Sequence, residues 1–254
     1  MTRGGPGPGE RNIRLIIAYD GTAYRGWQRQ AGLPTVQALI EESLLKLHKR
    51  PVTLTGSGRT DSGVHAAGQA ANFYTTLASM EAGRFVPALN SLLPRDLRIL
   101  SASEVPRSFH ARFDARSRTY RYFFIGGRQA LPHERRYALQ LRRPPDLRRL
   151  NDYCRFFRGE FDCTIFASPA DKSKSRRRYI YGASFFVEGE KIVFEIRANA
   201  FLWKMVRSAA GTLLFYGEKK TAPEDFYRII SSGKRELAGP TLPPEGLFLW
   251  GVEY

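Results

Sequence analysis

Gly56-Ser57-Gly58-Arg59-Thr60-Asp61-Ser62-Gly63-Val64-His65, running on as AAGQAANF to Phe73, is the stretch on which the fold turns. Four glycines between positions 56 and 68 let a backbone bend sharply and come close to a neighbour. Their spacing is not that of a dinucleotide fingerprint, and no Gly-Lys-Ser/Thr ending closes the loop as a phosphate-binding P-loop. Ser62 stands between Asp61 and Gly63, outside any nucleophile elbow. Ser62 and His65 could touch, but no third member of a triad accompanies them. What remains is Asp61, a carboxylate on a glycine-flanked turn two residues after Arg59. Asp commonly caps its own turn, and a reactive carboxylate would look the same locally, so both roles stay open at this point.

Outward from the loop, apolar periodicity predicts the elements. On the amino-terminal side these are a strand over Ile13–Tyr19 ended by Asp20-Gly21, a helix over Val36–His48 with Thr35 as N-cap, and a short strand over Val52–Leu54. Beyond the loop, Gln69–Tyr74 resumes a strand, Phe85–Leu93 is a helix closed by Pro94, and Leu97–Val105 is a strand. This half therefore reads β-α-β-β-α-β. In the second half, Thr119–Ile125 is a strand and Pro145–Phe157 a helix with Asp146 near its start. Tyr179–Val187 and Ile192–Ala198 form a hairpin around Glu188-Gly189-Glu190. Trp203–Tyr216 and Pro223–Ser231 are helices, and Leu247–Val252 is the last strand. The expected class is α/β (α+β), with two similar units resembling a split βαβ and mostly antiparallel sheets.

Composition bounds the function. The chain has 254 residues, and 40 Lys and Arg against 24 Asp and Glu leave a net charge of +16. Such a field attracts polyanions, nucleic acid first among them. Arg and aromatics are interleaved at Arg118–Phe124 (RTYRYFF); Arg grips phosphate and ring faces stack on unpaired bases, although alternating aromatics equally mark a half-buried strand. Lys172–Arg178 (KSKSRRR) has five basic residues in seven and none apolar. It reads as an exposed loop whose Lys172, Lys174, Arg176, Arg177 and Arg178 contact phosphate. Cys154 and Cys163 form no CxxC pair and read as reduced structural thiols, with no metal site expected. No segment approaches the length of a membrane span, and residues 1–11, rich in Gly and Pro, read as a disordered tail.

The longer string GSGRTDSGVHAAGQAANF closely resembles the signature of the TruA-type tRNA pseudouridine synthases, GRTD-x-GVHA followed by a Gly-Gln pair. Further matches follow in the family's order. They are Tyr19-Asp20-Gly21-Thr22 with Gly26-Trp27-Gln28-Arg29-Gln30, then Phe109-His110-Ala111-Arg112-Phe113 with Tyr120-Arg121-Tyr122. Phe201-Leu202 with Met205-Val206-Arg207, and Gly239-Pro240-Thr241 with Pro244-Glu245-Gly246-Leu247, complete the set. The resemblance implies a pseudouridine synthase fold of two domains, 12–106 with the Asp loop and 107–254 with Tyr120, the basic loop and Arg207, and an active-site cleft between them. It implies isomerisation of uridine to pseudouridine in the anticodon stem-loop of tRNA, typically at positions 38, 39 and 40, without cofactor or metal. It also implies a cytoplasmic homodimer with tRNA lying across both subunits.

Residue by residue, the resemblance makes Asp61 the catalytic nucleophile. An isolated aspartate is ionised at neutral pH, and burial alone would oppose this, so a nearby cation is needed. Arg207 matches the family's arginine that pairs with this aspartate, and its place in the apolar run LWKMVRSAAGTLL argues against a surface charge. Tyr120 matches the active-site tyrosine, expected to stack on uracil; a phenol titrating at about 10 is a poor base unaided. Arg59 is expected to contact RNA or hold the target nucleotide out, Leu247 to form an apolar wall, and Arg112 to contact RNA. A non-catalytic RNA-binding protein on the same scaffold is the alternative. A hydrolase or nuclease would need a carboxylate cluster or Ser/His arrangement that the sequence lacks.

Overall fold

The computed structural model describes Gly7 and residues 9–254; the rest of the tail expected over 1–11 lies outside the described residues. Within it, Gly7 donates to Glu10, Glu10 pairs with Arg50 at 2.7 Å, and Arg11 already belongs to the first strand. The chain divides into two compact units, Met1–Arg116 with Leu249–Tyr254, and Ser117–Phe248. The fold is mixed α/β with mostly antiparallel pairing, as the periodicity predicted.

The first unit runs β1 (Arg11–Tyr19), α1 (Val36–His48), β2 (Thr55–Gly56), β3 (His65–Thr75), α2 (Phe85–Asn90) and β4 (Leu97–Val105). β1 is central, antiparallel to both β3 and β4, with Leu15 opposite Ala71 and Ala102. Its alternate residues Ile13, Leu15, Ile17 and Tyr19 are buried, as are Val36, Ile40 and Leu44 of α1. Each such side chain contributes roughly 1.5–3 kcal/mol of burial. At the far end of α1, His48, Phe73 of β3 and Phe85 of α2 form one aromatic cluster, with ring centroids 5.3–6.1 Å apart.

Two expectations are corrected here. Thr35 has the extended backbone of an N-cap, but its side chain makes no capping bond. The first helical N–H groups instead donate to main-chain carbonyls, Val36 to Gly26 and Gln37 to Trp27, so the orphan donors are satisfied without the hydroxyl. The strand expected over Val52–Leu54 does not form; only Thr55–Gly56 pairs with β3. The Leu54 N–H donates to Glu41 and its carbonyl accepts from Gln37, so side chains of α1 occupy the groups a ladder would need.

The second unit contains β5 (Ser117–Ile125), β6 (Leu139–Gln140), α3 (Leu147–Cys154), β7 (Gly159–Asp162), β8 (Arg177–Glu188), β9 (Lys191–Ala198), α4 (Met205–Glu218) and α5 (Pro223–Ser231). β10 (Leu247–Glu253) begins in this unit and continues in the first. The antiparallel order is β5-β9-β8-β7, with β6 parallel to β5. Asp146 caps α3 by accepting from the N–H groups of Arg148 and Arg149. The core is aromatic: Phe185 stacks on Phe194 at 4.7 Å, and Tyr153 on Phe226 at 4.2 Å. Burial raises the thiol of Cys154 and pushes that of Cys163 up to about 12; both cysteines are buried and free. Among the described residues no helix is long and apolar enough to cross a membrane.

Candidate active site

In the first unit the Asp61 loop is held from three directions. Thr60, buried just before Asp61, shares a 2.8 Å hydrogen bond with the Tyr19 hydroxyl, and its carbonyl accepts from the Trp27 N–H at 3.1 Å. Val64 N–H donates to the Asp61 carbonyl at 3.1 Å, which closes a tight turn. Gly63 stands in that turn at φ +78°, a conformation glycine adopts without penalty. At the loop's entry, the buried Ser57 hydroxyl donates to Gln69, which in turn donates to the Gly58 carbonyl.

Close backbone approaches explain the neighbouring glycines. A Cβ on Gly21 would lie 2.1 Å from the Val64 carbonyl oxygen, and one on Gly26 would lie 2.7 Å from that of Thr60. The Gly21 N–H donates to Nδ1 of the buried His65 at 3.0 Å, and Asp20 Oδ1 lies 3.2 Å from the same nitrogen. The segments 19–22 and 26–30 are therefore the frame on which the loop is built. Asp61 is half-buried and Arg59 exposed, with Arg59 Nε donating to Gln28 at 3.0 Å. Arg112, also in this unit, is exposed, with its guanidinium 5.8 Å from the Phe113 ring centre.

The second unit carries Tyr120, Arg207, Leu247 and the basic loop. Tyr120 lies on β5 opposite Ile196, is 8% exposed, and meets Phe201 edge-on at 5.0 Å. Arg207 lies in the first turns of α4, half-buried, with Nε donating to the Leu242 carbonyl at 2.7 Å. The Leu242 N–H returns a bond to the Arg207 carbonyl at 3.3 Å. One turn on, Gly211 lets the Pro240 carbonyl touch the helix; a Cβ there would lie 1.8 Å from that oxygen. Gly239-Pro240-Thr241 thus lies against α4, and the chain after it fixes the arginine. Leu247 is buried at the start of β10, preceded by Gly246, which lies against the Tyr122 ring.

The basic stretch divides in two. Lys172 and Lys174 are exposed in the loop, whereas Arg177 and Arg178 open β8. Arg177 pairs with Glu160 of β7 at 2.6 Å. Arg178 donates to the carbonyls of Ser175 and Arg177, and Arg176 to that of Asp171. The expectation of one exposed loop over Lys172–Arg178 is corrected accordingly: pairing with β7, a strand too short to show alternation, extends β8 backwards. The sequence does not mark Tyr19 and Gln69 as supports of the Asp61 loop; the structure does. Both residues carry strand signals in the sequence, and a supporting hydroxyl or amide leaves no spacing signal of its own.

A family model described as tRNA pseudouridine synthase matches residues 15–114 and 154–254. The chain is 51% identical over 250 residues to tRNA pseudouridine synthase A of Treponema denticola, covering 96% of this chain and 93% of that one. It is 47% identical over 235 residues to the protein of the same name from Treponema pallidum strain Nichols, covering 91% and 84%. It is 43% identical over 244 residues to that of Caldicellulosiruptor bescii, covering 96% and 100%. With the model matched over both units and the relatives aligned over nearly their whole lengths, the chain belongs to the tRNA pseudouridine synthase family.

Proposed function

We propose that the chain isomerises uridine to pseudouridine in tRNA, at positions 38, 39 and 40 of the anticodon stem-loop, with Asp61 as the nucleophilic carboxylate. The observation that carries the reading is the Asp61 turn itself, a half-buried carboxylate on a loop braced by Tyr19, Trp27 and Gln69. Such bracing is what a group needs if it must meet one atom of a substrate in one orientation. In the reaction the N1–C1′ bond breaks, the uracil turns, and a C5–C1′ bond forms. C5 loses a hydrogen and N1 gains one, so atoms and electrons balance without a cofactor. Attack at C1′, attack at C6, or abstraction of a sugar proton to give a glycal would each use the same carboxylate.

Tyr120 is assigned to stacking on the uracil, Leu247 to the apolar wall beside it, and Arg207 to keeping the nucleophile anionic. Arg59, Arg112 and the basic residues of 172–178 are assigned to RNA. Everting a base from a stacked stem costs a few kcal/mol, which phosphate contacts offset. Reading several adjacent positions fits recognition of RNA shape more than of base edges. The active form in this reading is a homodimer in the cytoplasm with tRNA across both subunits.

The test is incubation of unmodified tRNA with the wild-type protein and with Asp61→Ala, followed by mass spectrometry that maps each uridine. The expected result is pseudouridine at one or more of the three positions with wild type, and unchanged tRNA affinity but no product with the variant. Product from Asp61→Ala would remove the nucleophile assignment. Tight tRNA binding with no product from either protein would favour the non-catalytic RNA-binding alternative.

A further inference from the structure

The basic loop of the second unit is bracketed by exposed aromatic rings. At its start, Asp171 accepts from the Ser173 N–H at 2.8 Å and from the Trp203 N–H at 2.6 Å, and so ties the loop to the turn before α4. Burial raises the Asp171 carboxyl, but the hydrogen bonds from Trp203 and Ser173 outweigh it and hold the group below its ordinary value. Trp203 is 45% exposed. Lys204 follows it in left-handed backbone, φ +62°, with its ammonium 5.2 Å from the indole centre. A non-glycine residue in that region is strained, and such strain concentrates at functional turns.

At the loop's other end are Tyr179 and Tyr181 of β8, 48% and 37% exposed, with ring centres 5.1 Å apart. Their exposure does not come from a frayed strand. Both main-chain groups of Tyr179 are bonded to Asn199, and Arg118 donates to the Asn199 carbonyl at 2.6 Å. Ile180 lies opposite Ala198 while Gly182 lies opposite Arg197, so Tyr181 is the extra residue of a bulge. Bulges re-aim side chains; here the Tyr181 ring meets the guanidinium of exposed Arg197 at 5.2 Å.

We propose that this aromatic and basic face, with Trp203 at one end and Tyr179 and Tyr181 at the other end of the 172–178 loop, is a stacking site for unpaired nucleotides of the RNA substrate. The inference deepens the proposed function and rests on its RNA substrate. Exposed rings beside cations are the composition that binds single strands, because every base offers a π face and every nucleotide a phosphate. The occupant follows from charge. Lys172, Lys174 and Arg197 are exposed here on a chain of net charge +16. A second copy docked isologously would bring this cationic patch against itself, whereas a polyanion neutralises it.

The test compares the affinity of each protein for an unmodified tRNA transcript and for a blunt RNA duplex without unpaired nucleotides. Tyr179→Leu with Tyr181→Leu, and separately Trp203→Leu, are expected to weaken tRNA binding roughly tenfold each and to leave duplex binding unchanged. Tyr→Phe at both positions and Trp203→Phe keep the ring and are expected to bind tRNA like wild type. Tyr227→Leu, an exposed ring on α5, is the control and should also bind like wild type. Equal loss on both RNAs, no loss on either, or phenylalanine variants as weak as the leucine variants would each overturn the proposal. A changed sedimentation coefficient in the leucine variants would assign the face to a second copy instead. Pseudouridine formation by wild type is read separately, so failure of the stacking site and failure of the catalytic assignment give different results.

Discussion

The hydroxyl of Tyr19, the last residue of β1, shares a buried 2.8 Å hydrogen bond with the hydroxyl of Thr60, the residue before Asp61. Burial raises the Tyr19 phenol above its ordinary range, with the contacts to Thr60 and Gln69 opposing it, so the group stays neutral. Tyr19→Phe removes the bond and leaves a buried hydroxyl on Thr60 with one partner fewer. The expected cost is about 1–2 kcal/mol, read by chemical denaturation. Under the proposed function, turnover on tRNA should fall while affinity holds, because the bond braces the loop that carries Asp61. A variant with wild-type stability and wild-type turnover would show that the loop is held without it.

Gly26 and Gly32 make a matched pair. Both have positive φ, +89° and +71°, but a Cβ on Gly26 would lie 2.7 Å from the Thr60 carbonyl oxygen, whereas one on Gly32 would meet nothing within 4 Å. Gly32→Ala should therefore cost only the left-handed backbone penalty of about 1–2 kcal/mol. Gly26→Ala should cost more, by roughly 1–3 kcal/mol of steric displacement, and should also lower turnover because it pushes on the Asp61 turn. Equal melting temperatures for the two variants would contradict this.

Arg207 is fixed through Leu242, which bonds both its side chain and its main chain. Under the proposed function, Arg207→Ala should lower single-turnover pseudouridine formation at least tenfold, the loss that about 1.4 kcal/mol produces, and change tRNA affinity much less. Arg207→Lys should restore little, because a point charge on a flexible stem cannot reproduce the fixed planar fork. Parallel loss of affinity and rate would make Arg207 an RNA contact instead.

His48 links stability to pH. Burial lowers its pKa most, the bond to the Leu44 carbonyl opposes this, and the Arg50 charge lowers it further, so the folded value is below the ordinary 6.5. Below pH 6.5 the unfolded chain takes up the proton more readily than the folded one, so the stability this site contributes is present above about 6.5 and declines as pH falls towards the folded value. The ring stacks on Phe85 and its Nε2 bonds Thr75, so His48→Phe is the matched variant. The melting temperature of wild type should drop between pH 7 and 5 more steeply than that of His48→Phe. Parallel curves would assign the pH dependence to other groups.

Elements whose signals are local can be read from the chain before any packing is known. Ile13, Leu15, Ile17 and Tyr19 alternate into one core, and α1, β4 and α5 carry their own periodicity, so β1 was legible to within two residues and the other three in full. The GRTD-x-GVHA string was equally legible, because the order of its residues is itself the signal, and Gly63 answers to the tight turn beside Asp61. Where distant partners compete, packing sets the outcome. Val52–Leu54 has a strand's composition, yet Gln37 and Glu41 take its main-chain groups. The apolar run from Trp203 reads as helix, yet α4 begins at Met205 because Lys204 takes left-handed backbone beside a turn bonded to Asp171. Arg177 reads as a loop cation, yet it pairs with Glu160 across β7 and β8. Leu249–Tyr254, last in sequence, belongs to the first unit. Periodicity records what each residue prefers near its neighbours in the chain, whereas hydrogen-bond partners, ion pairs and domain membership depend on which remote segment packs against it, and that is settled only when the chain folds.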